Sequence, residues 1–364
     1  MNPSPEFPVR CGIVGAGGIA ATLHLPQIAE LEGAEIRVIS GRRSSRLEHL
    51  SRQFEVGRMT SSYAEVVEAD DVDAVIVATP HPLHVEWGIR ALEAGKHVLM
   101  QKPLCADMSE AHAFVAVLED YPDRVALCLP FFPPAITVAQ SLCLEGAIGR
   151  VSGGRCRTSH GGPEIYYAGV REAFAEDPDD NAHLWFFDSE QASVGALFDM
   201  GVYAVASLVA IMGTARAVSA RVTTFDKPTQ LEDVATVLIE FEGGALATAE
   251  TSWCDPARTW ELSVHGTAGK LTSPGIAGAQ LTKWTPTSYT DEHASVQTTA
   301  LDCPAGTANA HSYFLECIAE GKQPVLSHAW AARHVTEILL AGLQSSGSGE
   351  TVALTTRAER DANA

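Results

Sequence analysis

From residue 9 onward, short uninterrupted apolar runs alternate with stretches in which apolar residues recur every three or four positions. Val9 to Val14 reads as a buried strand that runs straight into the turn Gly15-Ala16-Gly17-Gly18-Ile19-Ala20. Ile36 to Ser40, Ala74 to Ala78, His97 to Met100 and Val125 to Cys128 predict further strands, continuous in apolar residues as strands covered on both faces are. Between them lie helical patterns. One starts at Ser44 as an N-cap, one covers about His84 to Ala94 and ends at Gly95, and one runs through Ala111 to Leu118. Pro26 falls where the first helix would continue, so that helix is expected to break near His24. Strand and helix in strict alternation predict a parallel, doubly wound α/β sheet over residues 1–130.

The pattern changes after Phe131-Phe132-Pro133-Pro134. A helix is expected over Ala135 to Leu144, stopping at Gly146. Period-two alternation then marks strands at Val151–Thr158, Ala217–Thr224, Asp233–Phe241, Ala245–Thr251 and Trp260–His265, with Gly243-Gly244 as a hairpin turn. Residues 131–364 are therefore expected to form an α+β domain with a large, mostly antiparallel sheet. Gly161 to Asp188 reads as a long irregular segment of the kind that serves a binding site, and Ser345 to Gly349 as a turn or linker.

Composition narrows the function classes. Hydrophobic residues make up 46% and charged residues 19%, as in an ordinary soluble protein. A formal net charge of −20 argues against nucleic acid or an anionic membrane as the main partner. The start Met1 to Glu6 shows no secretory signal, and the eight cysteines form no CxxC pair, so reduced thiols and the cytoplasm are the expectation. No His/Cys cluster has metal-ligand spacing.

The glycine turn carries the first chemistry. Gly15 permits the tight strand-to-helix turn, Gly17 lets backbone approach a pyrophosphate, and Ala20 takes the small position where helix meets strand. With Ala16, Gly18 and Ile19 these residues read as a dinucleotide-binding element, since a helix N-terminus offers unpaired N–H groups to phosphates. At the end of the second strand, NAD sites place a carboxylate for the ribose 2′-OH; here stand Ser40, Gly41, Arg42 and Arg43. A small residue and paired guanidiniums suit a 2′-phosphate, which favours NADP over NAD.

Three further segments, Ala78-Thr79-Pro80-His81-Pro82-Leu83-His84, Gln101-Lys102-Pro103 and Ala196 to Tyr203, together with the turn, resemble the glucose–fructose oxidoreductase/inositol dehydrogenase/rhizopine-catabolism (Gfo/Idh/MocA) family over essentially the whole chain. The resemblance implies a Rossmann domain followed by a domain with an open-faced sheet, through which members form homodimers or homotetramers. It implies that Lys102 approaches nicotinamide and substrate, that Pro103 follows a cis peptide, and that Thr79, Pro80, His81, His84 and Gln101 border the cofactor. The implied substrate is a sugar, polyol or glycoside oxidised at a secondary alcohol, or the corresponding ketone reduced.

The chain departs from the family pattern in several places. The family's Asp-x-Gly-x-His appears as Asp199 and Tyr203, four apart as on one helix face, which resembles a tyrosine-donor subset that includes dihydrodiol dehydrogenase. A phenol titrates near about 10, so a cation such as Lys102 would have to make it a better acid. Gln101 replaces a glutamate, His81 an asparagine, and Ala192 to Gly195 a glycine run. On the strand after Val151, Arg155, Arg157 and Ser159 share one face while Cys156, Thr158 and His160 share the other. Arg157, His160 and Trp185 are candidate substrate contacts, and Tyr166, Tyr167 and Trp253 either stack on a sugar or fill the core. Two other classes remain open: a glycoside-cleaving enzyme that uses tightly bound NAD by transient oxidation, and a non-catalytic dinucleotide or sugar sensor.

Overall fold

In the computed structural model, residues 8–174, 176, 184–274, 280–286, 296–303 and 309–359 are described. The expectations for Met1 to Glu6 lie outside them. The chain packs as two compact units. The first takes the described residues of Met1–Phe131, Pro163–Trp185 and Thr307–Arg333; the second takes those of Phe132–Gly162, Phe186–Gly306 and His334–Ala364. The chain thus passes from the first unit to the second where the hydrophobic pattern changes, and two later segments return to the first.

The first unit holds β1 (Val9–Val14), β2 (Ala34–Ser40), β3 (Arg58–Thr60), β4 (Ala74–Val77), β5 (His97–Met100) and β6 (Ala126–Cys128). They form one parallel sheet in the order β3-β2-β1-β4-β5-β6. The order reverses between β1 and β4, and in such sheets ligands bind outside the carboxyl ends at that point. β4 and β5 are buried along their whole length because apolar layers cover both faces. One layer includes Leu25, Ile28, Phe314 and Ile318; the other includes Val66, Leu92, Phe114 and Trp330. The sheet therefore recruits a C-terminal helix, Ala310–Glu320, to finish its core.

The break near His24 takes a specific form. A π-helical turn, Ala20–His24, passes into the helix Leu25–Ala29, with Pro26 in the first turn where its missing N–H costs nothing. The helix Ser44–Gln53 has Arg43 and not Ser44 as its N-cap, and Arg43 makes no side-chain capping bond.

The second unit holds β7 (Val151–Ser159), β8 (Ala215–Thr223), β9 (Val234–Phe241), β10 (Leu246–Ser252), β11 (Thr259–Gly266), β12 (Gly269–Ser273), β13 (Gln280–Pro286), β14 (Val296–Asp302) and β15 (Val352–Ala353). The sheet order is β14-β13-β12-β11-β7-β10-β9-β8-β15, antiparallel except for the β7–β10 pair. Along β9, Ala235, Val237, Ile239 and Phe241 are buried while Thr236 and Leu238 are exposed, the alternation of a sheet with one covered face. The helix Val202–Met212 lies on the covered side, against β7 and β10.

Two segments differ from expectation. Gly161–Asp188 is not irregular throughout, since Pro163–Ala173 is a helix and Trp185–Phe187 a 3₁₀ turn; residues 175 and 177–183 lie outside the described residues. Ser345 to Ser348 is no linker but the last turn of the helix Ala329–Ser348. Two of its serines serve the neighbouring strand: Ser345 Oγ accepts from Ala220 N at 3.0 Å and Ser346 Oγ from Val222 N at 3.0 Å. Among the described residues no helix is long and apolar enough to cross a membrane.

Candidate active site

The glycine turn leaves β1 at the switch point. Gly15 has φ +96°, and a Cβ there would meet Thr79 N at 2.7 Å and Ala78 C at 2.8 Å, so only glycine lets β1 and β4 approach. Gly15 N and Ala16 N both donate to Ser40 O, which ties the turn to the end of β2. A Cβ on Gly17 would meet nothing within 4 Å, which leaves open space over the turn. Ala20 is fully buried, as its packing position requires, and the half-buried Ile19 packs on the same core. Thr79 Oγ1 is buried with no hydrogen-bond partner among the described residues. An open cradle, an orphaned hydroxyl and the N–H groups that open a helix fit a dinucleotide diphosphate.

Replacing Gly15 by alanine is expected to cost about 1–3 kcal/mol for the left-handed backbone alone. A titration with reduced dinucleotide, followed by nicotinamide fluorescence, should show affinity at least about tenfold weaker.

Other expected cofactor residues fall into place unevenly. Gly18 is small for a different reason: a Cβ there would meet Val170 Cγ2 at 2.8 Å, on the helix Pro163–Ala173. Ser40 is fully buried and its hydroxyl donates to Ile13 O at 3.0 Å, which braces β1. Gly41 lies under Ala16, its Cβ position 3.5 Å from Ala16 O. Arg42 is exposed. Arg43 is exposed too and reaches Glu176 Oε2 at 3.1 Å, while Arg46 binds the same carboxylate through Nε at 2.7 Å and Nη2 at 2.5 Å. The Arg46 hydrogen bond holds the Glu176 carboxyl below its ordinary range. No sequence pattern links positions 46 and 176, so this ion pair was illegible.

Lys102 follows β5. The Lys102–Pro103 peptide is cis, and Gln101 Oε1 accepts from Lys102 N at 2.7 Å. His84 is buried with Nδ1 2.7 Å from Pro103 O and Nε2 2.9 Å from Thr79 O. Burial pushes its pKa down to about 4, and the Lys102 charge adds to this. Both ring nitrogens face carbonyl oxygens, which only accept, so a neutral ring donates to one of them at a time; in this position the ring links the Thr79–Pro80 and Lys102–Pro103 segments. His81 is buried, and its ring centroid lies 5.6 Å from that of Trp185, whose Nε1 donates to Tyr167 Oη at 3.0 Å. These two expected residues are brought together.

In the second unit, Asp199 sits in a π-helical turn, Leu197–Gly201, and Tyr203 in the first turn of Val202–Met212. The expected single α-helical face is therefore interrupted between them, because a π turn closes on the fifth residue and not the fourth. Buried Glu232 holds the start of that turn: its Oε1 accepts from Gly195 N at 2.9 Å and Leu197 N at 3.2 Å. Burial raises the Glu232 pKa. Ser193 adopts φ +60°, which gives the chain the bend that a glycine run would otherwise supply.

Asp199 meets donors from two segments of this unit. Trp253 Nε1 donates to Oδ2 at 2.9 Å, and His160 Nε2 lies 3.2 Å from the same oxygen. His160 Nδ1 accepts from Gly162 N at 2.8 Å, so the ring proton sits on Nε2 and points at the carboxylate. Trp253 is fully buried, a core residue whose indole N–H reaches Asp199. The half-buried Tyr203 packs its ring 5.8 Å from Trp260.

Arg157 does not join this group. Strand alternation sends Thr158 toward Met200 O, at 2.6 Å, and Arg157 to the opposite face. There Arg157 meets Asp255 Oδ2 at 3.5 Å and Glu250 Oε2 at 4.0 Å, beside the Arg155–Glu250 pair.

A Rossmann sheet with a glycine turn at its switch point, followed by a mostly antiparallel sheet domain, defines a class of two-domain dinucleotide-dependent oxidoreductases. The sequence profile of the Gfo/Idh/MocA oxidoreductase family, NAD-binding Rossmann fold, matches residues 9–127, and the profile of the Gfo/Idh/MocA C-terminal domain matches residues 136–272. The chain belongs to this family. It is similar to dTDP-3,4-didehydro-2,6-dideoxy-alpha-D-glucose 3-reductase of Actinomadura kijaniata, 32% identical over 58% of each chain. It is also similar to trans-1,2-dihydrobenzene-1,2-diol dehydrogenase of Mus musculus, 27% identical over 65% of this chain and 66% of that one. Each match thus spans less than two thirds of the relative's length. The fold is that of levoglucosan dehydrogenase in complex with NADH, with a TM-score of 0.77 and 21% identity over 96% of this chain and 99% of the other.

Proposed function

We propose that this oxidoreductase interconverts a secondary alcohol and a ketone on a sugar, polyol or glycoside, with NADP as the favoured dinucleotide. The observation that carries the reading is Lys102, anchored by Gln101 at the carboxyl end of β5 in a sheet whose switch point fits a dinucleotide. A bound nicotinamide supplies or accepts the hydride. Lys102 polarises the substrate oxygen as charge develops on it. Tyr203 exchanges the hydroxyl proton. Asp199, held at Oδ2 by Trp253 and His160, orients a substrate hydroxyl.

The NADP preference rests on the missing carboxylate at the end of β2 and on exposed Arg42 and Arg43. Glu176 tempers it by neutralising part of the basic patch. Arg42→Ala and Arg43→Ala should each weaken NADPH about tenfold or more and leave NADH nearly unchanged, as measured by calorimetry. Equal losses for both cofactors would refute the preference. A homodimer or homotetramer through the uncovered sheet face, and a cytoplasmic location, belong to the same reading.

The decisive screen follows nicotinamide absorbance with sugars and ketosugars and both cofactors. Turnover with a free sugar, polyol or ketosugar supports the proposal. Release of an aglycone without net cofactor change would replace it with transient-oxidation chemistry, and binding without any reaction would replace it with a sensor.

A further inference from the structure

Four polar side chains in the first unit form a hydrogen-bonded chain, and the proposed chemistry draws on Gln101 alone among them. Gln101 is 6% exposed, His24 0% and His311 3%. Gln101 Nε2 lies 3.2 Å from His24 Nε2, His24 Nδ1 lies 2.9 Å from His311 Nε2, and His311 Nδ1 lies 2.8 Å from Gln27 Oε1. The two imidazoles meet edge to face at 81°.

The direction of every bond follows from one end. A peptide N–H can only donate, so the atom of Gln101 facing Lys102 N is the amide oxygen. Its amide nitrogen then faces His24 and has only protons to give. His24 Nε2 must accept, so its single proton sits on Nδ1 and is donated to His311 Nε2. His311 in turn carries its proton on Nδ1 and donates to Gln27. Each bond is satisfied once, with both rings neutral. A carboxylate at position 101 could not donate to His24. The ring would have to move its proton to Nε2, reversing the chain, or take a second proton.

We propose that Gln101 is a positioning residue for Lys102, and that the chain from Gln27 through His311 and His24 fixes its amide so that the oxygen anchors the Lys102 peptide. The inference rests on the oxidoreductase reading only for its effect on turnover. The neutral state of the rings agrees with their surroundings. Burial, with His311 and His84 as neighbours, depresses the His24 pKa well below its ordinary value, and burial pushes His311 down to about 4. The titratable groups facing His24 are His311 and His84, and the Lys102 charge acts on His84.

The test uses the full chain labelled with ¹⁵N-histidine and read by long-range ¹H–¹⁵N spectra. His24 and His311 should both show the Nδ1–H tautomer, without titrating between about pH 5.5 and 8. In Gln101→Glu, His24 should shift to the Nε2–H or doubly protonated form. Initial rates of that variant should show kcat about tenfold lower, a new inflection in the pH profile and little change in dinucleotide KM. A wild-type His24 in the Nε2–H form, or one titrating near neutrality, overturns the chain. A Gln101→Glu variant with wild-type kcat and pH profile overturns the positioning role. The spectra need no substrate and no variant, so a variant that fails to fold leaves the chain's direction decided. Absence of turnover in the wild type counts against the oxidoreductase reading alone.

Discussion

Lys102→Ala is expected to lower kcat/KM by about 10²–10³, while dinucleotide affinity changes by no more than about threefold. The side chain is half-buried, and the backbone of its loop is held by contacts that do not involve the ammonium. Gln101 grips the Lys102 peptide N–H, and His84 contacts Pro103 O. Truncation removes the charge while these two backbone contacts of the loop remain. Stopped-flow measurement of hydride transfer separates the chemical step from binding, and near-wild-type transfer would take Lys102 out of the mechanism. Lys102→Arg should restore only part of the rate, because a planar guanidinium cannot take the position of a compact ammonium.

Tyr203→Phe is the second large effect. It deletes one oxygen and keeps the ring against Trp260, so the melting temperature should be little changed. The rate should fall about 10²–10⁴-fold, the range for losing a positioned acid or base. If the phenol exchanges the proton, the basic limb of the kcat profile should disappear along with the rate. A loss of rate that keeps the pH profile intact would move the proton to another group. His160 would then be the first candidate, as its Nε2–H already points at Asp199.

The parallel sheet was legible because its information is local. Apolar runs predicted β1, β4 and β5 to within a residue, and Gly15 announced a positive φ where β1 ends. Pro26 placed the break near His24, although the π turn that absorbs it depends on packing. Motif spacing singled out Lys102, Asp199 and Tyr203 as candidates. The contacts that hold them were not legible. Trp253 reaches Asp199 across 54 positions, and His311 reaches His24 across 287.

Where local composition misled, a distant partner had changed its meaning. Ser345 to Ser348 has the residues of a linker, yet two of these serines satisfy N–H groups of β8 that its short pairing with β15 leaves over. Arg157 alternates along β7 as expected, and the packing of the Leu197–Gly201 turn decides that Thr158 and not Arg157 meets Met200 O. By itself the sequence determined the period of each element, the glycine turn and the residue types available for the chemistry, because these depend on neighbours within a few residues. Only the tertiary structure decided which face of β7 packs toward Asp199, which carboxylate meets Arg43 and Arg46, and which way the protons run from Gln101 to Gln27. Those choices are made by burial, and burial joins residues that the chain keeps far apart.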